Sequence, residues 1–188
     1  MERFRERDGA AQHYYPGTPD GTRPGTYYAH LSDMTAMPKN QLEVIAYHEG
    51  LPGHHMQISI AQELKDIPKF RTQAGFTAYS EGWALYSEAL ATEIPGTYQD
   101  PYNRFGQLTS EIWRAIRLVV DTGLHSKGWT EQEAIDFFME NSPEPLESVV
   151  SEIQRYIVMP GQATSYKIGM LKIQELRKRA EESLGEKF

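Results

Sequence analysis

The amino-acid sequence predicts a mainly helical domain with a small β hairpin, or a pair of edge strands, near its N-terminus. Three observations predict it. From Pro38 onward, apolar residues recur three or four apart in one segment after another. Between those segments stand Pro-Gly pairs or a capping pattern, the signals that end and begin helices. Residues 9–39, by contrast, are crowded with Gly, Pro, Asp and Thr and hold two aromatic runs, QHYYPG and GTYYAHL.

The aromatic runs read as two short extended segments joined by the turn GTPDGTRPG. Asn40 then caps a helix over QLEVIAYHE, which sets Leu42, Ile45, Ala46 and Glu49 at helical spacing and carries His48 and Glu49. Pro52-Gly53 interrupts it, because a proline inside a helix removes a hydrogen bond and clashes with the preceding turn. The helix resumes through HHMQISIAQEL. Another fits FTAYSEGWALYSEALATEI, on Tyr79, Trp83, Tyr86 and Leu90, and closes at Pro95-Gly96. The next covers NRFGQLTSEIWRAIRLVVDTGLHS and ends at KGW. Thr130 and Glu133 form a capping box for TEQEAIDFFMENS, and residues 145–184 give two helices separated at Pro160-Gly161. No repeat or low-complexity tract breaks the succession, so residues 1–188 read as one domain, a turn-rich β segment over 9–39 and helices over 40–188.

A chain of 188 residues, 39% hydrophobic and 24% charged, is long and apolar enough to bury a core. Its formal net charge of -7 argues against nucleic acid or an anionic membrane surface as partner, since both require a basic face. Peptides and small molecules remain as substrates. No run approaches the length of a membrane span, and the charged opening MERFRERDGAAQ lacks the apolar core of a signal peptide. That opening runs straight into the turn-rich segment, which suggests the C-terminal part of a larger helical protein. Helices missing from it would leave an apolar face open to self-association. With no cysteine, any metal must be held by His, Asp, Glu or water.

The chemistry concentrates in YHEGLPGHHMQ, residues 47–57, where three histidines and Glu49 surround Pro52-Gly53. A zinc peptidase motif His-Glu-x-x-His places both imidazoles on one helix face, with the glutamate as general base. Here His54 and His55 lie six and seven residues after His48. Seven residues of straight helix rise about 10.5 Å, whereas two nitrogens on one zinc stand no more than roughly 4 Å apart. A regular helix therefore fails. The Pro-Gly pair removes the difficulty by allowing residues to loop out as a bulge, which returns His54, or as the second choice His55, to the metal. For the third ligand YSEGWALYSE offers Glu81 and Glu88. Glu81 is the better, since Gly82 beside it admits a close backbone, while Glu88 is placed to orient a ligand histidine from behind.

HEGLPGHHMQ and YSEGWALYSE, with DGTRPGTYY, VVDTGLHSKGWTEQEAIDFF and RYIVMPGQATSYKIG, resemble the bacterial family labelled domain of unknown function 885. The resemblance covers nearly the whole chain and matches the C-terminal part of longer family members. More distantly it extends to the gluzincin peptidases, helical zincins in which glycine precedes the second histidine and a later glutamate completes the site. It implies a zincin-like helical fold, Zn2+ as cofactor, His48, His54 and Glu81 as ligands, and Glu49 as base. The departure from that pattern is the two-residue insertion in the motif. Some gluzincins also carry a transition-state donor pair about ten residues apart; Tyr156 and Tyr166 have that spacing, which makes Tyr166 the oxyanion donor and His125 its rival.

Arg114, Arg117 and Arg155 are candidates for gripping a substrate carboxylate, against the simpler reading as structural ion pairs with Glu111, Glu152 or Asp121. The aromatic strands suit an extended peptide added to their edge, with tyrosines contacting its side chains. The sequence thus points to a zinc metallohydrolase, a peptidase or oligopeptidase. The competing readings are a zinc esterase or amidase and a non-catalytic metal-binding or structural module.

Overall fold

The computed structural model describes residues 12–29 and 38–188. The expected β segment at residues 9–11 and 30–37 and the charged opening lie outside them. The described chain is mainly helical with one small antiparallel sheet, as the sequence predicts. Strands β1 (His13–Tyr15) and β2 (Thr26–Tyr28) pair in the register His13 to Tyr28, Tyr14 to Tyr27 and Tyr15 to Thr26. Their connection is a local hydrogen-bonded turn: Thr18 N–H donates to the Arg23 carbonyl, and Asp20 Oδ1 accepts from Thr22 N–H and hydroxyl.

Helix α1 spans Lys39–Glu49 and α2 spans His54–Glu63. Asn40 does not cap α1; Pro38 takes that place and Asn40 lies in the first turn, consistent with the tolerance of proline at a helix start. The interruption is also fuller than a bulge. Four residues, Gly50 to Gly53, separate two distinct helices, with Gly50 N–H still donating to the Ala46 carbonyl. After a short 3-10 turn at Lys69–Thr72 comes α3 (Thr77–Leu90), whose continuation Ala91–Glu93 tightens to 3-10. Helix α4 runs Pro101–Ser126, two residues earlier than the periodicity indicates, because Asp100 Oδ1 accepts the Tyr102 N–H and Pro101 suits the first turn. Helix α5 (Glu131–Asn141) has the expected capping box, Thr130 accepting from Glu133 N–H and Glu133 from Thr130 N–H. Helices α6 (Leu146–Val158) and α7 (Gln162–Leu184) part at Pro160-Gly161, and the PGQATS segment is mostly the first turn of α7.

The chain forms two compact units, Met1–Phe76 with Ser87–Leu108, and Thr77–Tyr86 with Thr109–Phe188, so that α3 and α4 each contribute to both. In the first unit Val44, Ala91 and Tyr98 are buried together, with Ile45 and Tyr47 against them. In the second, Ile116, Val120, Ala134, Phe138, Val149, Ile153 and Tyr156 make a core from α4, α5 and α6, edged by Trp113 and Trp129.

Candidate metal centre

Helix α1 delivers His48 and Glu49 at its last turn, both buried. The chain can turn there and restart because residue 53 is glycine: a Cβ at that position would sit 1.9 Å from the His48 carbonyl oxygen and 2.3 Å from that of Tyr47. No other residue fits so close an approach. Helix α2 therefore begins directly against the end of α1, and its first residue, His54, stands with its ring centroid 4.9 Å from that of His48 at an interplanar angle of 87°.

Glu81 arrives from α3. Gly82 next to it does admit a close backbone, that of α7: a Cβ at residue 82 would lie 2.5 Å from Gly169 Cα, and one at residue 169 would lie 1.9 Å from the Ala78 carbonyl oxygen. Two glycines opposite one another let α3 and α7 touch main chain to main chain.

Among the described residues one group has the makings of a metal site: His48, His54 and Glu81, each offering a donor atom, with all three atoms within 4.8 Å of one another. Ligands on a tetrahedral zinc stand roughly 3.4 Å apart at bonds of 2.0–2.1 Å. Two imidazoles and a carboxylate form a donor set suited to zinc.

Behind His48 lies Glu88, 1% exposed, its Oε1 2.6 Å from His48 Nδ1. The ring donates Nδ1–H to this carboxylate, which fixes the tautomer and puts the lone pair on Nε2, as in carboxylate–histidine–metal arrangements. Glu88 is held in turn by Tyr98, whose hydroxyl donates to the Glu88 carbonyl. A carboxylate that motif spacing gave no means of finding completes the support: Glu43 accepts from Tyr47 hydroxyl (2.8 Å), Tyr98 N–H (2.7 Å) and Asn103 Nδ2 (2.6 Å). Burial, then the Glu43 carboxylate, push the Tyr47 hydroxyl up to about 12.

His55 turns elsewhere. Its Nδ1 is 3.0 Å from the Tyr14 hydroxyl of β1, and the two rings meet edge to face at 5.3 Å. The hairpin thus rests on α2, with a second tie from Gln62 Nε2 to the Gly17 carbonyl. Next to Tyr14 on the sheet, Tyr27 feels Glu49: burial first, then that carboxylate's charge, push its hydroxyl up to about 12.

Tyr166, on α7, is buried and accepts from Gln162 Nε2, with the Arg114 and Arg117 guanidiniums 5.7 and 4.7 Å from its ring centroid. His125 places Nε2 2.9 Å from the Tyr156 carbonyl, a contact that ties the ends of α4 and α6. Tyr156 is fully buried, its hydroxyl receiving Trp113 Nε1–H and Arg117 Nε–H. Arg117 and Arg155 both donate to Glu152 at 2.8 Å, the structural pairing that the sequence holds as the alternative to a substrate grip. Burial of Glu152 opposes ionisation, but those two guanidiniums prevail and hold its carboxyl down at about 2. Arg114 donates to Ser110.

Solved structures share the fold. One, described as "the putative lipoprotein from Colwellia psychrerythraea", is 44% identical with a TM-score of 0.96 and matches 100% of this chain and 32% of its own. Another, "a putative lipoprotein of unknown function from Shewanella oneidensis", is 24% identical with a TM-score of 0.76 over 95% of this chain and 34% of its own. The chain thus spans about a third of each of these relatives. No curated protein matches it. The family described as "Bacterial protein of unknown function (DUF885)" matches residues 1–188, and the chain belongs to that family.

Proposed function

We propose that the chain carries the metal site of a zinc-dependent hydrolase acting on peptide bonds. The observation that carries this reading is the convergence of His48, His54 and Glu81 with a buried carboxylate, Glu88, on the far side of the first histidine. His48, His54 and Glu81 would hold zinc and leave its fourth position to water, the open arrangement of catalytic rather than structural sites. When bound, zinc lowers the pKa of that water to about 7 and polarises the substrate carbonyl.

The rest is done by the chain's own side chains. Glu49, buried and adjacent to His48, takes the proton from the attacking water and returns it to the leaving amine. Glu88 keeps His48 in the tautomer that presents Nε2. Tyr166 is the side chain assigned to the developing oxyanion, with His125, whose Nε2 faces the Tyr156 carbonyl, as the second candidate.

The test is zinc content of protein purified without added metal or a histidine tag, followed by turnover of a peptide panel that includes ester and amide analogues. The native chain should hold about one zinc, and His48→Ala and Glu81→Ala should lose it. Glu49→Gln should keep the zinc and lose turnover. A Glu49→Gln variant as active as the native protein would remove the general base from this reading.

A further inference from the structure

The hairpin does more than sit beside the motif. Tyr14 and Tyr27 are directly opposed in the antiparallel pair, so their side chains leave the same face of the sheet. The flanking pairs, His13 with Tyr28 and Tyr15 with Thr26, project from the other, where the His13 and Tyr28 rings stack at 5.3 Å. The Tyr14 hydroxyl on His55 fixes which face meets the motif. Gly25 leaves room for that placement, since a Cβ there would lie 2.1 Å from the Tyr14 hydroxyl. Tied also by Gln62, the hairpin is held to α2 at two points, so the face that carries Tyr14 and Tyr27 meets the motif on an anchored strand and not on a loose loop.

We propose that Tyr27 is a further catalytic residue, whose phenol O–H donates a hydrogen bond to the oxyanion that forms on the substrate carbonyl beside Glu49. The proposal rests on the hydrolase reading above and adds a second donor to Tyr166. Its chemistry fits the position. No hydrogen bond to another described residue occupies the Tyr27 hydroxyl, and about a third of the side chain is open to an incoming ligand. A neutral donor beside a carboxylate base suits a reaction in which negative charge passes from the attacking water to the carbonyl oxygen. A preorganised donor of this kind acts on the transition state more than on the planar substrate.

The experiment compares zinc-loaded native protein with Tyr27→Phe in three readings: zinc affinity by chelator competition, kcat and KM on a chromogenic tripeptide, and the Kd of a phosphinic tripeptide, whose tetrahedral anion mimics the intermediate. The expected result is zinc affinity unchanged, kcat lower by about 100-fold with KM little altered, and weaker binding of the phosphinic peptide. Unchanged kcat and phosphinic-peptide Kd in an active enzyme would overturn the role of Tyr27 and leave the hydrolase reading standing. So would a rise in KM alone, which marks uniform binding. A native protein that holds zinc yet cleaves nothing in the panel overturns the hydrolase reading, and the role of Tyr27 with it.

Discussion

Glu88→Gln isolates the part of the site that a list of ligands would leave out. The carboxylate lies 2.6 Å from His48 Nδ1, with 5% of His48 and 1% of Glu88 exposed. Gln has the same length and still offers an oxygen to the ring N–H, so the contact with His48 is kept in shape. What is lost is charge. A hydrogen bond to a charged group contributes about 1.5–3 kcal/mol and a neutral one about 1. The difference, of the order of 1–2 kcal/mol, falls on the basicity of the opposite ring nitrogen. Zinc affinity should therefore fall about 5- to 30-fold, at the lower end of the usual cost of removing such a partner. Competition with a fluorescent zinc chelator at neutral pH reads the Kd, and urea unfolding of the metal-free protein checks that the fold is intact. An unchanged Kd in a folded variant would refute the argument that Glu88 tunes His48.

The two adjacent histidines should separate cleanly: His54→Ala should abolish zinc binding, whereas His55→Ala should keep it and loosen only the hold on Tyr14, both read by metal content. Gly82→Ala would put a Cβ 2.5 Å from Gly169 Cα, where two helix backbones have no room to yield. It should lower stability by about 1–3 kcal/mol in urea unfolding. Glu152 gives a pH signature. Its folded pKa of about 2 lies below the ordinary 4.5, so the stability it contributes is complete above about pH 4.5 and is lost as the pH falls toward 2. Some 2.5 units at 1.36 kcal/mol each give about 3 kcal/mol, and Glu152→Gln should flatten the acid limb of the unfolding free energy by that order.

Element order was legible because each helix is punctuated by a local signal: Pro52-Gly53, Pro95-Gly96, the Thr130 capping box and Pro160-Gly161. The differences came where a local signal competed with another. Asn40 lost the cap position to Pro38, and Asp100 with Pro101 started α4 before its apolar periodicity begins. At the centre, spacing alone left His54 and His55 open, since the answer depends on how four residues turn between α1 and α2. The grouping of His54 with His48 and Glu81, and the contact of His55 with Tyr14, are long-range facts. Glu43 was invisible for the same reason. Its partners at 98 and 103 are distant in sequence, and a glutamate on a helix face ordinarily reads as solvated.

That Glu43 carboxylate also bears on how such sequences can change. It holds a tyrosine N–H at a residue with φ of 45°, an asparagine amide at the start of α4 and a phenol on its own helix. Removing it orphans three donors together, while changing one partner orphans one. Substitutions at position 43 should therefore be rejected more strongly than those at 103, and a library randomising both in a folding selection would return an acceptor at 43 far more uniformly than any one residue at 103. The metal ligands would be untouched in every clone, yet the clones would sort by how well they keep Tyr98, and through it Glu88, in place.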